Sequence, residues 1–304
     1  MVLCIAFHCN SEFTTVRVDP CVLFVRIMYM SKCAIVYLLR STQTDVNDII
    51  RSLNSLQTYF LGTYEYPVYV FIEDNFRQDW IDSIYALSTV DKNNLHFHNI
   101  QFKLPPMFHD QDIHVPQYIV THNGKQRWPL GYRHMCRFWS GAFMDDDVIK
   151  RYDYVWRMDS DAYITAPITY DVFYHMRDKK IDYAYSDICH DEYEVCEGLY
   201  EFSMQYFQST CSRFQWTKFL MYTTHVEIFC IKRFQNDDYM SFFRAIDKTP
   251  GFYMKRWGDA PIRYIAATNL RFSTCKLEVN YIHGNDGSGR RQQEQQEREM
   301  PTCV

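Results

Sequence analysis

Tyr152-Asp153-Tyr154-Val155-Trp156-Arg157-Met158-Asp159-Ser160-Asp161 decides how this chain is read, because an aromatic and aliphatic run ends there on two carboxylates one residue apart. Along a strand, alternate side chains share a face, so Asp159 and Asp161 converge where the strand ends and the backbone turns irregular. Buried together, the pair repels at a cost on the order of several kcal/mol unless a cation neutralises it. A divalent ion with hard oxygen ligands would in turn attract the diphosphate of a nucleotide sugar. Read alone, an Asp-x-Asp is more commonly a turn that closes a strand. The surrounding sequence has to decide.

Upstream, Cys33 to Leu39 reads as a buried strand and Ser41 to Leu56 as a helix, with Asp45, Val46, Ile49, Ile50 and Leu53 at helical spacing. Tyr66 to Ile72 is a second strand and Trp80 to Leu87 a second helix. This β-α-β-α order implies a parallel sheet with ligands at its carboxyl edge. Residues 88 to 130 read as loop-rich, with Pro105, Pro106, Pro116 and Pro129 marking breaks. Gly131 to Met144 is expected to be helical and Lys150 to Met158 to be the strand presenting the acidic pair. Tyr170 to Arg177 follows as helix, Ile181 to Tyr185 as strand and Leu277 to Ile282 as a last strand. We expect residues 1–30 to be an extension dispensable for folding, 31–284 to be one catalytic domain, and 285–304 to be a polar, disordered tail.

With 304 residues, 47% of them hydrophobic and 17% aromatic, the chain can bury a large core. A net charge of -5 removes the usual electrostatic basis for nucleic-acid binding, so a phosphorylated ligand calls for a metal and a few placed arginines. The 24 Tyr and six Trp suit stacking on sugar or base rings, although most belong in cores and strands. Eleven cysteines lack any Cys-x-x-Cys, and Cys189 with Cys196 is a candidate pair only in an oxidising compartment. The apolar patches Met1 to Phe7 and Cys21 to Met30 are too short to span a membrane, and no Asn-x-Ser/Thr sequon occurs.

Four stretches then change the odds: Tyr132 to Gly141 (YRHMCRFWSG), Tyr154 to Asp159 (YVWRMD), His225 to Ile228 (HVEI) and Gly251 to Pro261 (GFYMKRWGDAP). In order and spacing they resemble the fungal α-1,2-mannosyltransferases of glycosyltransferase family 15, over about Lys32 to His283. The resemblance implies a GT-A-like α/β domain with a mixed, mostly parallel central sheet flanked by helices. It also implies a GDP-mannose donor, an oligosaccharide or glycoprotein acceptor, Mn²⁺, and retention of anomeric configuration. Asp159 stands where the family usually has a metal-binding Glu, and His283 matches its metal-binding His. Carboxylate plus imidazole suits Mn²⁺ better than Mg²⁺. Asp161 is then a water-mediated or outer partner.

By the same resemblance Glu227 falls on the proposed nucleophile; its plain alternative is a strand-edge Glu paired with Lys232 or Arg233. Asp259 is either a hydrogen-bond acceptor or base for the acceptor hydroxyl, or a cap for the following helix. Tyr132 matches a tyrosine near the donor phosphates. Arg133 and Arg137 either neutralise diphosphate or pair with structural carboxylates, and Arg40 is a weaker donor-site candidate. The chain departs from the family at Asp159-Ser160-Asp161, which replaces a Glu-Pro pair, at Cys189 to Tyr200, and at Arg263, where the family often has His. The resemblance implies a Golgi location, and with no membrane-length apolar run or sequon read in this sequence a cytoplasmic location stands beside it as an expectation. Two rivals stand beside the transferase: a catalytically weakened sugar-binding protein on the same fold, and a two-metal phosphoryl-transfer enzyme, which would need more clustered carboxylates.

Overall fold

The computed structural model describes residues 4–9, 12–17, 32–211, 214–217 and 219–284. They fall in two compact units, Met1–Lys32 and Cys33–Val304. In the first, Cys4–Cys9 pairs antiparallel with Glu12–Arg17. The tail from Asn285 onward, expected to be disordered, lies outside the described residues. No helix among the described residues is long and apolar enough to cross a membrane.

Seven strands form the central sheet of the second unit: β1 (Cys33–Leu38), β2 (Val68–Glu73), β3 (Leu95–Ile100), β4 (Tyr154–Met158), β5 (Tyr183–Tyr185), β6 (Val226–Cys230) and β7 (Thr274–Lys276). Their order is β7-β5-β6-β4-β1-β2-β3. β6 runs antiparallel to β4 and β5, and the remaining pairings are parallel. The sheet is therefore mixed and mostly parallel, as expected. β1 is buried from Cys33 through Tyr37 because helices cover both faces of a central parallel strand. Its alternation sends Ile35 and Tyr37 into one apolar cluster with Trp156, and Val36 into another with Phe71 and Phe229. Each such fully buried side chain contributes roughly 1.5–3 kcal/mol.

Three helices position the site: α1 (Gln43–Leu56), α2 (Leu130–Ser140) and α3 (Asp259–Asn269). The Thr42 hydroxyl caps α1 by accepting from the Asp45 N–H at 3.1 Å. The loop-rich stretch 88–130 also holds β3, which among the described residues is an edge strand pairing only with β2; it leaves His96 and His98 half-buried and Asn99 exposed, and so lacks a strong apolar signal. One reading needs correction. The final strand is not continuous: β7 ends at Lys276, and Tyr281–His283 leaves the sheet to pair with Ala162–Ile164. Cys189 and Cys196 are separate thiols, not a disulfide.

Gly251 shows how closely the approach to α3 is packed. A Cβ there would lie 2.1 Å from Cε3 of Trp257, a ring anchored by its Nε1–H to the Glu197 carbonyl at 2.8 Å. Overpacking of this kind costs about 1–3 kcal/mol. Gly251→Ala should lower the denaturant midpoint accordingly, and an unchanged midpoint would show that the indole can move aside.

Candidate active site

The site is built by register. β4 and β6 pair with Met158 opposite Val226 and Arg157 opposite Glu227. One step beyond, the Asp159 N–H donates to the His225 carbonyl at 2.8 Å, so the end of one strand meets the start of the other. The chain then turns, with Ala162 N–H donating to the Asp159 carbonyl at 3.0 Å, and Ala162–Ile164 pairs antiparallel with Tyr281–His283, His283 opposite Ala162. α1 fixes this turn: Ser52 Oγ donates to the Ala162 carbonyl (2.6 Å), and Ser55 Oγ accepts from the Ile164 N–H (3.0 Å). Asp159, His225 and His283 thus come together from three chain segments, with one ligand-type atom of each within 4.8 Å of the others.

His283 Nε2 lies 3.2 Å from Asp161 Oδ1 and 3.7 Å from Asp159 Oδ2. The His225 and His283 rings stack at 3.5 Å, 4° from parallel. Burial, with the neighbouring charges of His283 and Arg157, pushes the His225 imidazole down to about 3, so it is neutral with a ring lone pair available. For His283, burial works downward, but the hydrogen bond to Asp161 and the charge of Asp159 outweigh it and hold the imidazole above its ordinary value. Burial pushes Asp159 up, with Arg157 and His283 opposing. In Asp161, burial works upward too, but the His283 hydrogen bond leaves the carboxyl below its ordinary range. A carboxylate beside a neutral imidazole and a second imidazole fits Mn²⁺, which accepts nitrogen more readily than Mg²⁺.

A metal at His283 needs the neutral imidazole, whereas in its absence the raised value favours the proton. Mn²⁺ affinity should therefore fall as pH drops through that raised value, with a proton released on binding wherever His283 starts protonated. Calorimetry in buffers of different ionisation enthalpy checks this. Affinity that stayed constant from about pH 8 to about pH 5.5 would contradict it.

Beside this cluster, Arg157 is the node of a buried charge network. Its Nη1 donates to Glu227 Oε1 (2.9 Å) and Asp259 Oδ2 (2.6 Å), and its Nη2 to Asp159 Oδ1 (3.1 Å). The guanidinium lies 4.6 Å from the centre of the Trp139 ring on α2. Glu227 Oε2 accepts from Tyr183 Oη (2.5 Å) and lies 3.0 Å from Arg263 Nε. Arg263 reaches it from α3 while donating to the Trp139 carbonyl (2.9 Å). Side-chain exposure grades the three carboxylates: Glu227 0%, Asp259 7% and Asp159 27%. Burial raises Glu227 despite both arginines. Asp259 meets the same upward push from burial, but Arg157 and Arg263 overcome it and keep the carboxyl below its ordinary value.

The other expected residues separate. Tyr132 Oη accepts from Arg256 Nη2 (2.9 Å), whose Nη1 donates to Asp191 (2.8 Å), tying α2 to the 188–200 segment. Arg133 is fully buried and donates to the carbonyls of Tyr253 and Pro116, so its guanidinium serves the scaffold. Arg137 takes the structural of its two roles, gripping Asp247 at 2.6 and 2.8 Å. Arg40, 78% exposed and 3.0 Å from Asp45, follows β1 at the same carboxyl edge, since Val36 lies opposite Arg157. Asp259 is the first residue of α3 and Gly258 its N-cap, so the carboxylate does not cap the helix. Glu227 pairs with neither Lys232 nor Arg233; Arg233 bonds Asp238 at 2.8 Å. Sequence reasoning missed His225, Arg157, Tyr183 and Arg263 as parts of the site. His225 did carry a signal, because two residues before Glu227 on a strand it shares that face.

A sequence profile of the family described as glycolipid 2-alpha-mannosyltransferase matches residues 21–283. A Candida albicans protein named "Probable mannosyltransferase MNT3" is 31% identical over 244 residues, covering 73% of this chain and 62% of that protein. The O-glycoside alpha-1,2-mannosyltransferase homolog 4 of Schizosaccharomyces pombe is 24% identical over 285 residues, covering 76% of this chain and 64% of that protein. The chain thus spans a little over three fifths of these curated relatives. Among solved structures, core-mannan synthase A (CmsA/Ktr4) of Aspergillus fumigatus in its Mn/GDP form superposes with a TM-score of 0.69 at 18% identity, covering 84% of this chain and 75% of that one. At that identity the likeness concerns the fold.

Proposed function

The chain belongs to the glycolipid 2-alpha-mannosyltransferase family, and we propose that it is a metal-dependent, retaining α-1,2-mannosyltransferase that moves mannose from GDP-mannose to a saccharide or glycoprotein acceptor. The observation that carries this reading is the meeting of Asp159 and His283 with the Arg157-Glu227-Asp259 network at one carboxyl edge of the sheet. Asp159 and His283 would hold Mn²⁺, with Asp161 orienting His283. Bound there, the ion would neutralise the donor diphosphate and the charge that grows on it as it leaves. Fold likeness to a protein solved in a Mn/GDP form supports the same assignment.

The remaining roles rest on this chain's own residues. A retaining transfer needs negative charge near the anomeric carbon, as a nucleophile or as a stabiliser of an oxocarbenium-like state. Both Glu227 oxygens are engaged, by Arg157 on one side and by Tyr183 and Arg263 on the other. Glu227 therefore acts as a fixed anionic support beneath the site. Asp259, kept ionised by the two arginines, accepts the hydrogen bond of the acceptor hydroxyl and receives its proton as the new C–O bond forms and the anomeric C–O bond to the diphosphate breaks, GDP taking the bonding pair. Tyr132 and Arg40 are our donor-side contacts; Arg133 is not, because two carbonyls occupy it.

Turnover across a panel of GDP- and UDP-sugars, with Mn²⁺ and without metal, tests the proposal. We expect selective, metal-dependent turnover of GDP-mannose. Absence of binding to any nucleotide sugar would put the sugar-binding reading in its place.

A further inference from the structure

We propose that His225 is a third protein ligand of the metal, so that Asp159, His225 and His283 form an all-protein site that binds the ion before the nucleotide arrives. The inference rests on reading the cluster as a metal centre. Asp159 brings a short side chain to the site, and a lone Asp with one His leaves most of an ion's coordination to substrate and water. His225 makes up that deficit from across the strand pair. Its carbonyl is bonded to the Asp159 N–H at 2.8 Å, which fixes the two backbones side by side. Residues opposite each other in an antiparallel pair have Cβ atoms roughly 4.5–5.5 Å apart, a span that two ligands of one ion can close.

The imidazole is also in place. A ring nitrogen of His225 belongs to the set lying within 4.8 Å of the Asp159 and His283 ligand atoms, and its ring lies against His283 at 3.5 Å. Two parallel planes at that spacing cannot both contain one ion, so binding should tilt one ring out of the stack. A site with two imidazoles and a carboxylate should favour ions later in the first-row series, Co²⁺ over Mn²⁺, more than a one-imidazole site does.

Pulsed electron paramagnetic resonance of Mn²⁺ bound to the whole chain, with no nucleotide present, counts the coordinated nitrogens directly. We expect two nitrogen couplings in the wild type and one in His225→Asn, with Mn²⁺ affinity lower on the order of tenfold or more and the Co²⁺ to Mn²⁺ affinity ratio reduced. One coupling in the wild type, unchanged by His225→Asn and abolished by His283→Ala, would overturn the role of His225 and leave the metal centre standing. No Mn²⁺ bound with or without GDP would remove both. The wild-type count decides even if a variant folds poorly.

Discussion

Arg157→Met should destabilise the protein by about 3–5 kcal/mol and abolish transfer, the largest effect we expect from any single substitution. Methionine nearly matches the arginine stem, so the loss is one of charge, not of volume. Three carboxylates then lose their shared donor. Asp159 keeps water on one side, but Asp259 is almost sealed and Glu227 completely so. Arg263 touches Glu227 at 3.0 Å but stands 3.8 Å from Asp259, too far to replace the 2.6 Å bond from Arg157. The charge left on Asp259 must be hydrated or protonated, and either route opens the edge of the sheet. Denaturant unfolding measures the effect. A change below about 1 kcal/mol would mean that the network contributes little, as exposed ion pairs do.

Glu227→Gln should lower kcat by roughly 10²–10³ while leaving Mn²⁺ binding intact. The amide keeps the shape of the carboxylate but loses its charge, and its NH₂ must face either the Arg157 guanidinium or the Tyr183 hydroxyl with Arg263 behind it. One donor is then aimed at another in a dry site. The opposite profile belongs to Asp159→Asn, which should lose metal affinity first. Turnover of Glu227→Gln at the wild-type rate would eliminate any role for this carboxylate in the transfer.

The strands and helices that fix the architecture were legible because they are long and strongly patterned. β1 is an unbroken apolar run, α1 carries its cap and its apolar face in the sequence, and the Trp156–Asp161 stretch announces a strand ending in charge. β3 was lost because an edge strand with alternating histidines resembles a loop in hydropathy. At the site, Asp159, Glu227, Asp259 and His283 were readable from motifs, each on one segment. What motifs could not convey was who neutralises whom. Arg157 looked like one more residue of a strand, yet pairing with β6 sets it opposite Glu227 and beside Asp259. His225 and Arg263 depend in the same way on antiparallel register and on the docking of α3. Arg133 erred in the other direction: a cation in a family motif suggested phosphate, but burial committed its donors to Tyr253 and Pro116.

Asp159 and His283, brought together where β4 ends, make the proposed metal site for a nucleotide diphosphate. Titration of GDP into the purified chain by calorimetry, with Mn²⁺ and then with a chelator, tests it most directly. GDP should bind with Mn²⁺, and binding should be lost on chelation and absent in Asp159→Asn. Equal GDP affinity in both conditions, unchanged by Asp159→Asn, would contradict it.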